Sequence, residues 1–183
     1  MFTSAERLWR PPSRHTKSTV ATTSLAFALV LLTMACARPN ATEQLWAVGQ
    51  TAEVDGWRVT VHSFSSLPAD EWRQPTDGQI FCALELTLEN SSEQIRYVMP
   101  EKQMMLLDAD GQNYAPDHDA AVIAARSRQW LAVEGEFGVA EKSHGAAAYQ
   151  IPNESQGMRW VFRTSLFPWA PKVTFVLREL SQP

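Results

Sequence analysis

From Cys82 to Glu89 the chain reads CALELTLE. Cys82, Leu84, Leu86 and Leu88 alternate with Ala83, Glu85, Thr87 and Glu89. A helix, turning about 100° per residue, would scatter the two acids around its circumference. A strand sends successive side chains to opposite faces, so this period of two predicts a strand with one face in a core and the other in water. A half-apolar strand needs further strands to cover it, and the chain supplies them.

Trp57, Val59 and Val61 alternate with Arg58, Thr60 and His62, and Val173, Phe175 and Leu177 repeat the pattern near the C-terminus. Asp55-Gly56 between two such runs is a two-residue hairpin signal. NSSEQ (90–94), Asp110-Gly111 and NESQG (153–157) supply further turns. IRYVM, MMLL, HGAAAYQIP and MRWVFR complete a set of about eight or nine short strands, which predicts an all-β sandwich. Two segments do not fit. Residues 65–79 form a long loop with two prolines. Residues 117–142 are a long insertion with helical composition, either a short helix over Ala120–Leu131 capped by Asp119 or an irregular crossover between sheets.

The N-terminus is of a different kind. Arg7, Arg10, Arg14 and Lys17 precede an uncharged run from Val20 to Ala35, densest in LAFALVLLTMA. A basic stretch, an apolar stretch and a small residue in that order are the layout of a secretory signal. The run is short for crossing a ~30 Å hydrocarbon core. It ends in TMAC after Leu32, which resembles the bacterial lipobox. That resemblance implies diacylglycerol on the Cys36 thiol and cleavage just before it. An uncleaved anchor and simple secretion are the alternatives, and all three put the rest of the chain outside the cytoplasm. The expected organisation is a signal peptide over 1–35, a lipidated Cys36 with a polar tether over 36–44, and one domain over 45–183.

The first 36 residues hold four of the 16 basic and one of the 20 acidic residues, so the remaining 147 carry 12 basic against 19 acidic, a formal charge of −7. A nucleic-acid partner needs a basic face, and none is present. The acidic balance gives no help on anionic lipid, so membrane contact is expected through the acyl chains of Cys36 alone. Cys82 is the only other cysteine. It reads as a buried, inert thiol.

Asp108, Asp110, Asp117 and Asp119 invite a calcium reading, with Asp108 and Asp110 the weak candidates. Gly111 follows Asp110 directly and Asp119 stands where a loop of this kind needs glutamate, so these acids read as turn chemistry. His62, His118 and His144 are scattered, and Met99, Met104, Met105 and Met158 read as core residues. No Gly-x-Ser-x-Gly or His-Glu-x-x-His occurs. No enzyme, metal or cofactor is expected.

Six of the seven tryptophans follow Cys36. Trp57 and Trp160 lie in strands and belong to the core. Trp72 and Trp169 lie in the proline-flanked loops DEWRQP and FPWAP. Each is expected to plug an end of the sandwich. The alternative is an exposed pair that stacks on a sugar or anchors a partner.

Four motifs together carry a resemblance: AVGQTAEVDGWRVTV, DGQIFCALELTLENSSEQ, LLDADGQNYAP and HGAAAYQIP. In this order, over roughly residues 46 to 178, the chain resembles a bacterial lipoprotein and secreted-protein family of unknown function, grouped with the immunoprotective extracellular antigen of mycobacteria. VEGEFGVAEKSHG replaces the shorter turn usual before the family's penultimate strands. The resemblance implies an immunoglobulin-like β-sandwich, export and no catalytic residues. The expected function is a lipid-anchored, extracytoplasmic, non-enzymatic binding or interaction module of the cell envelope, with a protein or glycan partner. A carbohydrate- or small-ligand-binding accessory using Trp72 and Trp169, and a structural envelope protein, are the alternatives.

Overall fold

Asp55 and Gly56 take φ values of 44° and 74°, the left-handed backbone that a two-residue type I′ turn requires. They join β2 (Thr51–Val54) to β3 (Trp57–Ser66). The computed structural model describes residues 44–177. The predicted signal peptide, Cys36 and all of the tether but its last residue lie outside them.

β4 (Gln79–Asn90) is the backbone of the first sheet. It pairs with β3 from Trp57–Asn90 to Ser66–Cys82 across a bulge at Val61/Ser63. On its other side it pairs with β9 (Lys142–Pro152) along its whole length. The order is β2-β3-β4-β9. The second sheet has the order β1 (Leu45–Ala47), β11 (Lys172–Val176), β10 (Arg159–Arg163), β6 (Met104–Leu107), β7 (Asn113–Tyr114). β5 (Arg96–Val98) and β8 (Gly135–Phe137) form a separate ribbon, and one helical turn, α1 (Pro100–Gln103), precedes β6. The fold is the expected all-β, immunoglobulin-like sandwich. The pattern missed three-residue strands such as β1 and β8, because so few residues show no periodicity.

The inner faces meet in one core. Trp57, Leu84, Leu86, Leu88 and Tyr149 from the first sheet pack with Met104, Leu106, Trp160, Phe162 and Phe175 from the second. Trp57 stands edge-on to Phe137 at 5.3 Å and to Phe162 at 5.7 Å. The Trp160 indole donates to the Tyr149 hydroxyl at 2.7 Å, so neither buried polar tip lacks a partner. Met99, expected in the core, is exposed instead, because it sits at a strand end where the chain leaves the core for α1.

The insertion begins as a helix and continues through β8 to β9. α2 (His118–Arg128) ends at Gln129, which takes the left-handed cap conformation at φ 60°. The N-cap is Asp117, not Asp119: the Asp117 carboxylate accepts from the Ala120 amide at 2.8 Å, while Asp119 lies in the first turn and pairs with Arg73 at 3.0 Å. α2 lies on the outer face of the first sheet. Ala120, Ile123 and Ala124 pack on Phe81, Ala83, Ala146 and Ala148 with Leu67. That face of β4 was expected in water, and half of it is therefore a second, small core. The alanines of β9 make this possible, since a helix can approach closely only over small side chains.

Candidate functional site

Trp72 and Trp169 are 77 % and 79 % exposed. The plug expectation is overturned for both, for a local reason in each case. Asp70 organises the first loop: one carboxylate oxygen accepts from the Trp72 and Arg73 amides at 2.9 Å and 2.6 Å, and the other from Arg126 of α2 at 3.1 Å. Partial desolvation raises the Asp70 pKa, but the two amides and the Arg126 guanidinium outweigh it and leave the carboxyl below the usual carboxylate range. The loop is thus folded down onto α2 with Trp72 left outside. Trp169 stacks on Phe167 at 5.1 Å and 15°. Phe167 and Leu166 are themselves exposed, so the three form an apolar tip.

The two tryptophans do not meet. The Trp57 indole donates to the Thr164 carbonyl at 3.3 Å, and Arg163 pairs with Lys172, which puts the 164–171 loop at the Trp57 end of the sandwich. The 67–78 loop leaves β3 at its far end, ten residues on, a span of about 30 Å. No single ligand of ordinary size bridges them.

The structure brings together a concave site that the sequence reading did not anticipate. Between α2 and the edge strand β9 lies a partly open cleft of about 360 Å³. Its walls are Ala121, Val122 and Ala125 of the helix, Ala146, Ala147 and Ala148 of β9, and Pro100, Pro116 and Leu131. Glu101, Asp117, Glu134 and His118 are its polar lining residues. The cleft exists because two segments cap the edge of β9 at separate points. The Leu131 carbonyl accepts from the Ala146 amide at 2.8 Å, and the Asp117 amide donates to the Ala148 carbonyl at 2.8 Å. Small side chains between those clamps leave the space unfilled. Its volume falls within the range of small-ligand sites, which are mostly apolar with a few polar groups.

A polar chain crosses the outer face of the same sheet. The Thr87 hydroxyl lies 2.8 Å from His62 Nε2 and 3.1 Å from His144 Nδ1. His144 Nε2 is 3.3 Å from Glu85, which accepts from Ser63 at 2.9 Å. Hydroxyl, imidazole and carboxylate in series are the parts of a nucleophilic site. Thr87 is only 7 % exposed and bonded toward both rings, so its oxygen has no open approach. The chain pins three strands together. Outward alternation marked His62, Thr87 and Glu85, but only the register of β9 brings His144 to them.

The acids behave as turn residues. Asp108 accepts from the Asp110 and Gln112 amides at 3.0 Å and 2.9 Å and from the Tyr114 hydroxyl at 2.8 Å. Chiefly through that hydroxyl its carboxyl is held below the usual range. Asp110 contributes its amide to this turn. Among the described residues no group of three or more His, Cys, Asp or Glu is placed to hold a metal ion. Cys82 is buried, its thiol directed at the Tyr149 carbonyl at 3.7 Å, and burial pushes its pKa far up.

Residues 46–172 match the model of a domain of unknown function, DUF4352. Solved structures share the fold. The yjhA protein of Bacillus subtilis superposes with a TM-score of 0.54 at 14 % identity, over 73 % of this chain and 99 % of that one. The ycdA protein of Bacillus subtilis, provisionally assigned as a lipoprotein, superposes at 0.51 with 13 % identity, over 68 % of this chain and 37 % of that one. No curated protein gives a significant match.

Proposed function

The chain belongs to the DUF4352 family, a domain of unknown function, and from that premise we propose that it is a lipid-anchored, extracytoplasmic binding module of the bacterial envelope, non-enzymatic, with its ligand site in the cleft between α2 and β9. The cleft carries the reading: it is preformed and mostly apolar, with three carboxylates and one imidazole among its lining residues. Such a site takes a small molecule with an apolar body and a neutral or cationic end. The buried Thr87 hydroxyl and the buried Cys82 thiol support a binding rather than a catalytic role.

The anchor is supported by the TMAC sequence at Cys36, by a structural relative provisionally assigned as a lipoprotein, and by the motif resemblance to the family grouped with a mycobacterial extracellular antigen. No helix among the described residues is long and apolar enough to cross a membrane. A glycan platform built from both loop tryptophans is not favoured, because they stand at opposite ends.

Two measurements test the proposal. Cys36→Ser should abolish labelling by a fatty-acid analogue and leave the precursor uncut; unchanged processing would replace the anchor with ordinary secretion. For the cleft, Nile red serves as a neutral apolar probe. The protein should brighten it, and Val122→Trp, which fills the cleft from the helix side, should abolish the signal at unchanged melting temperature. Equal binding by that variant would remove the cleft from the reading.

A further inference from the structure

The 164–171 loop presents Leu166, Phe167 and Trp169 at 53 %, 58 % and 79 % exposure. Three neighbouring large apolar side chains on one exposed hairpin tip call for an occupant. Stacking of Phe167 on Trp169 and prolines at 168 and 171 stiffen the tip, so little entropy is lost when it is immobilised. At its root Arg163 stands opposite Lys172 across the β10–β11 pair.

Where the chain enters the domain identifies the occupant. β1 runs parallel to β11, with Leu45 beside Thr174 and Ala47 beside Val176. β11 itself starts at Lys172, directly after the loop. Traced backward, β1 therefore leads toward the loop, and Gln44 lies at the same end of the sandwich as Trp169. Only seven residues lie between Cys36 and Gln44, eight chain steps with a reach of at most about 29 Å when fully extended. Met99, exposed, stands at this end too: Gln103 accepts from its amide and donates to the Arg163 carbonyl.

We propose that the Leu166-Phe167-Trp169 tip is a membrane-docking element that inserts into the lipid interface beside the acylated Cys36. The inference rests on the anchored reading given above. Aromatic side chains favour the headgroup level, and basic residues just behind an apolar tip suit the phosphate layer. The net charge of the domain does not oppose this, because it is an average and the tip carries no acid. An acyl chain fixes only the distance of a domain from the bilayer, whereas a second contact fixes its orientation. With the tip down, the 67–78 loop and Trp72 point away from the membrane.

The test uses the full acylated protein reconstituted into phosphatidylcholine–phosphatidylglycerol vesicles. A polarity-sensitive fluorophore is placed at Leu166→Cys or, in a second protein, at Trp72→Cys. Headgroup-level spin-labelled lipid should quench the probe at 166 and shift its emission to the blue, and should leave the probe at 72 unaffected. Flotation with the vesicles but equal, solvent-like emission at both positions would overturn the docking tip while leaving the anchor intact. Failure to float, with no quenching at 166, would overturn both. Quenching at both positions would overturn the fixed orientation. Leu166→Ser/Phe167→Ser/Trp169→Ser should keep the melting temperature of the parent and let labelled position 72 approach the lipid; a variant whose position 72 stays clear shows that the tip does not orient the domain.

Discussion

The carbonyl oxygen of Leu131 lies 2.2 Å from the point where a β-carbon on residue 145 would stand, and residue 145 is glycine. Leu131 is thereby brought against the edge of β9, where its carbonyl takes the Ala146 amide. One wall of the cleft is held by this contact. Gly145→Ala should cost about 1–3 kcal/mol as an overpacked site whose neighbour is backbone and cannot swing aside. Chemical denaturation reads the loss, and Nile red binding should fall with it.

The two acids at the start of α2 should separate. Asp117→Ala removes the cap and is expected to cost about 0.5–2 kcal/mol. Asp119→Ala removes an exposed pair with Arg73 and should cost less than about 1 kcal/mol. Equal losses in urea titrations would mean that the cap assignment is wrong.

Trp72→Ala and Trp169→Ala should each leave the melting temperature nearly unchanged, since both rings are in water. Trp160→Ala should cost about 3–5 kcal/mol, and it also strands the buried Tyr149 hydroxyl that the indole satisfies. One set of thermal scans distinguishes core from surface at all three positions.

Alkali should weaken the domain through two buried acids. Burial raises both the Cys82 thiol and the Tyr149 phenol above their ordinary values of 9.0 and 10.0. The unfolded chain therefore loses these protons first as pH rises. The stability tied to keeping them neutral is full below about pH 9 and is lost progressively above it. In a Cys36→Ser chain, where Cys82 is the only thiol, a disulfide-exchange reagent at pH 8 should react at the rate of unfolding. Rapid labelling of the folded protein would contradict the burial of Cys82.

Alternation located β3, β4 and β11 and assigned Trp57, Leu84, Leu86 and Phe175 to the core, because burial on one face of a strand leaves a period of two in the sequence. Turn chemistry located Asp55-Gly56 and Asp108-Asp110, because a positive φ or a self-capping carboxylate is a local requirement. The stretch ending in Cys36 defined a candidate anchor by the order of its residue types. None of these needed a partner from elsewhere in the chain. The remaining features depend on register and on the path of the insertion. The outer face of β4 reads as wet until α2 is laid across Ala83 and Ala146. The cleft follows from where residues 117 and 131 clamp β9, and His144 reaches Thr87 only because β9 pairs with β4 in one register. Trp72 and Trp169 had sequence contexts of the same kind, and only the topology put them at opposite ends with one beside the entry of the chain. Local pattern is written by the period of a single element, whereas a site is written by long-range pairing, and no short stretch of this sequence encodes that pairing by itself.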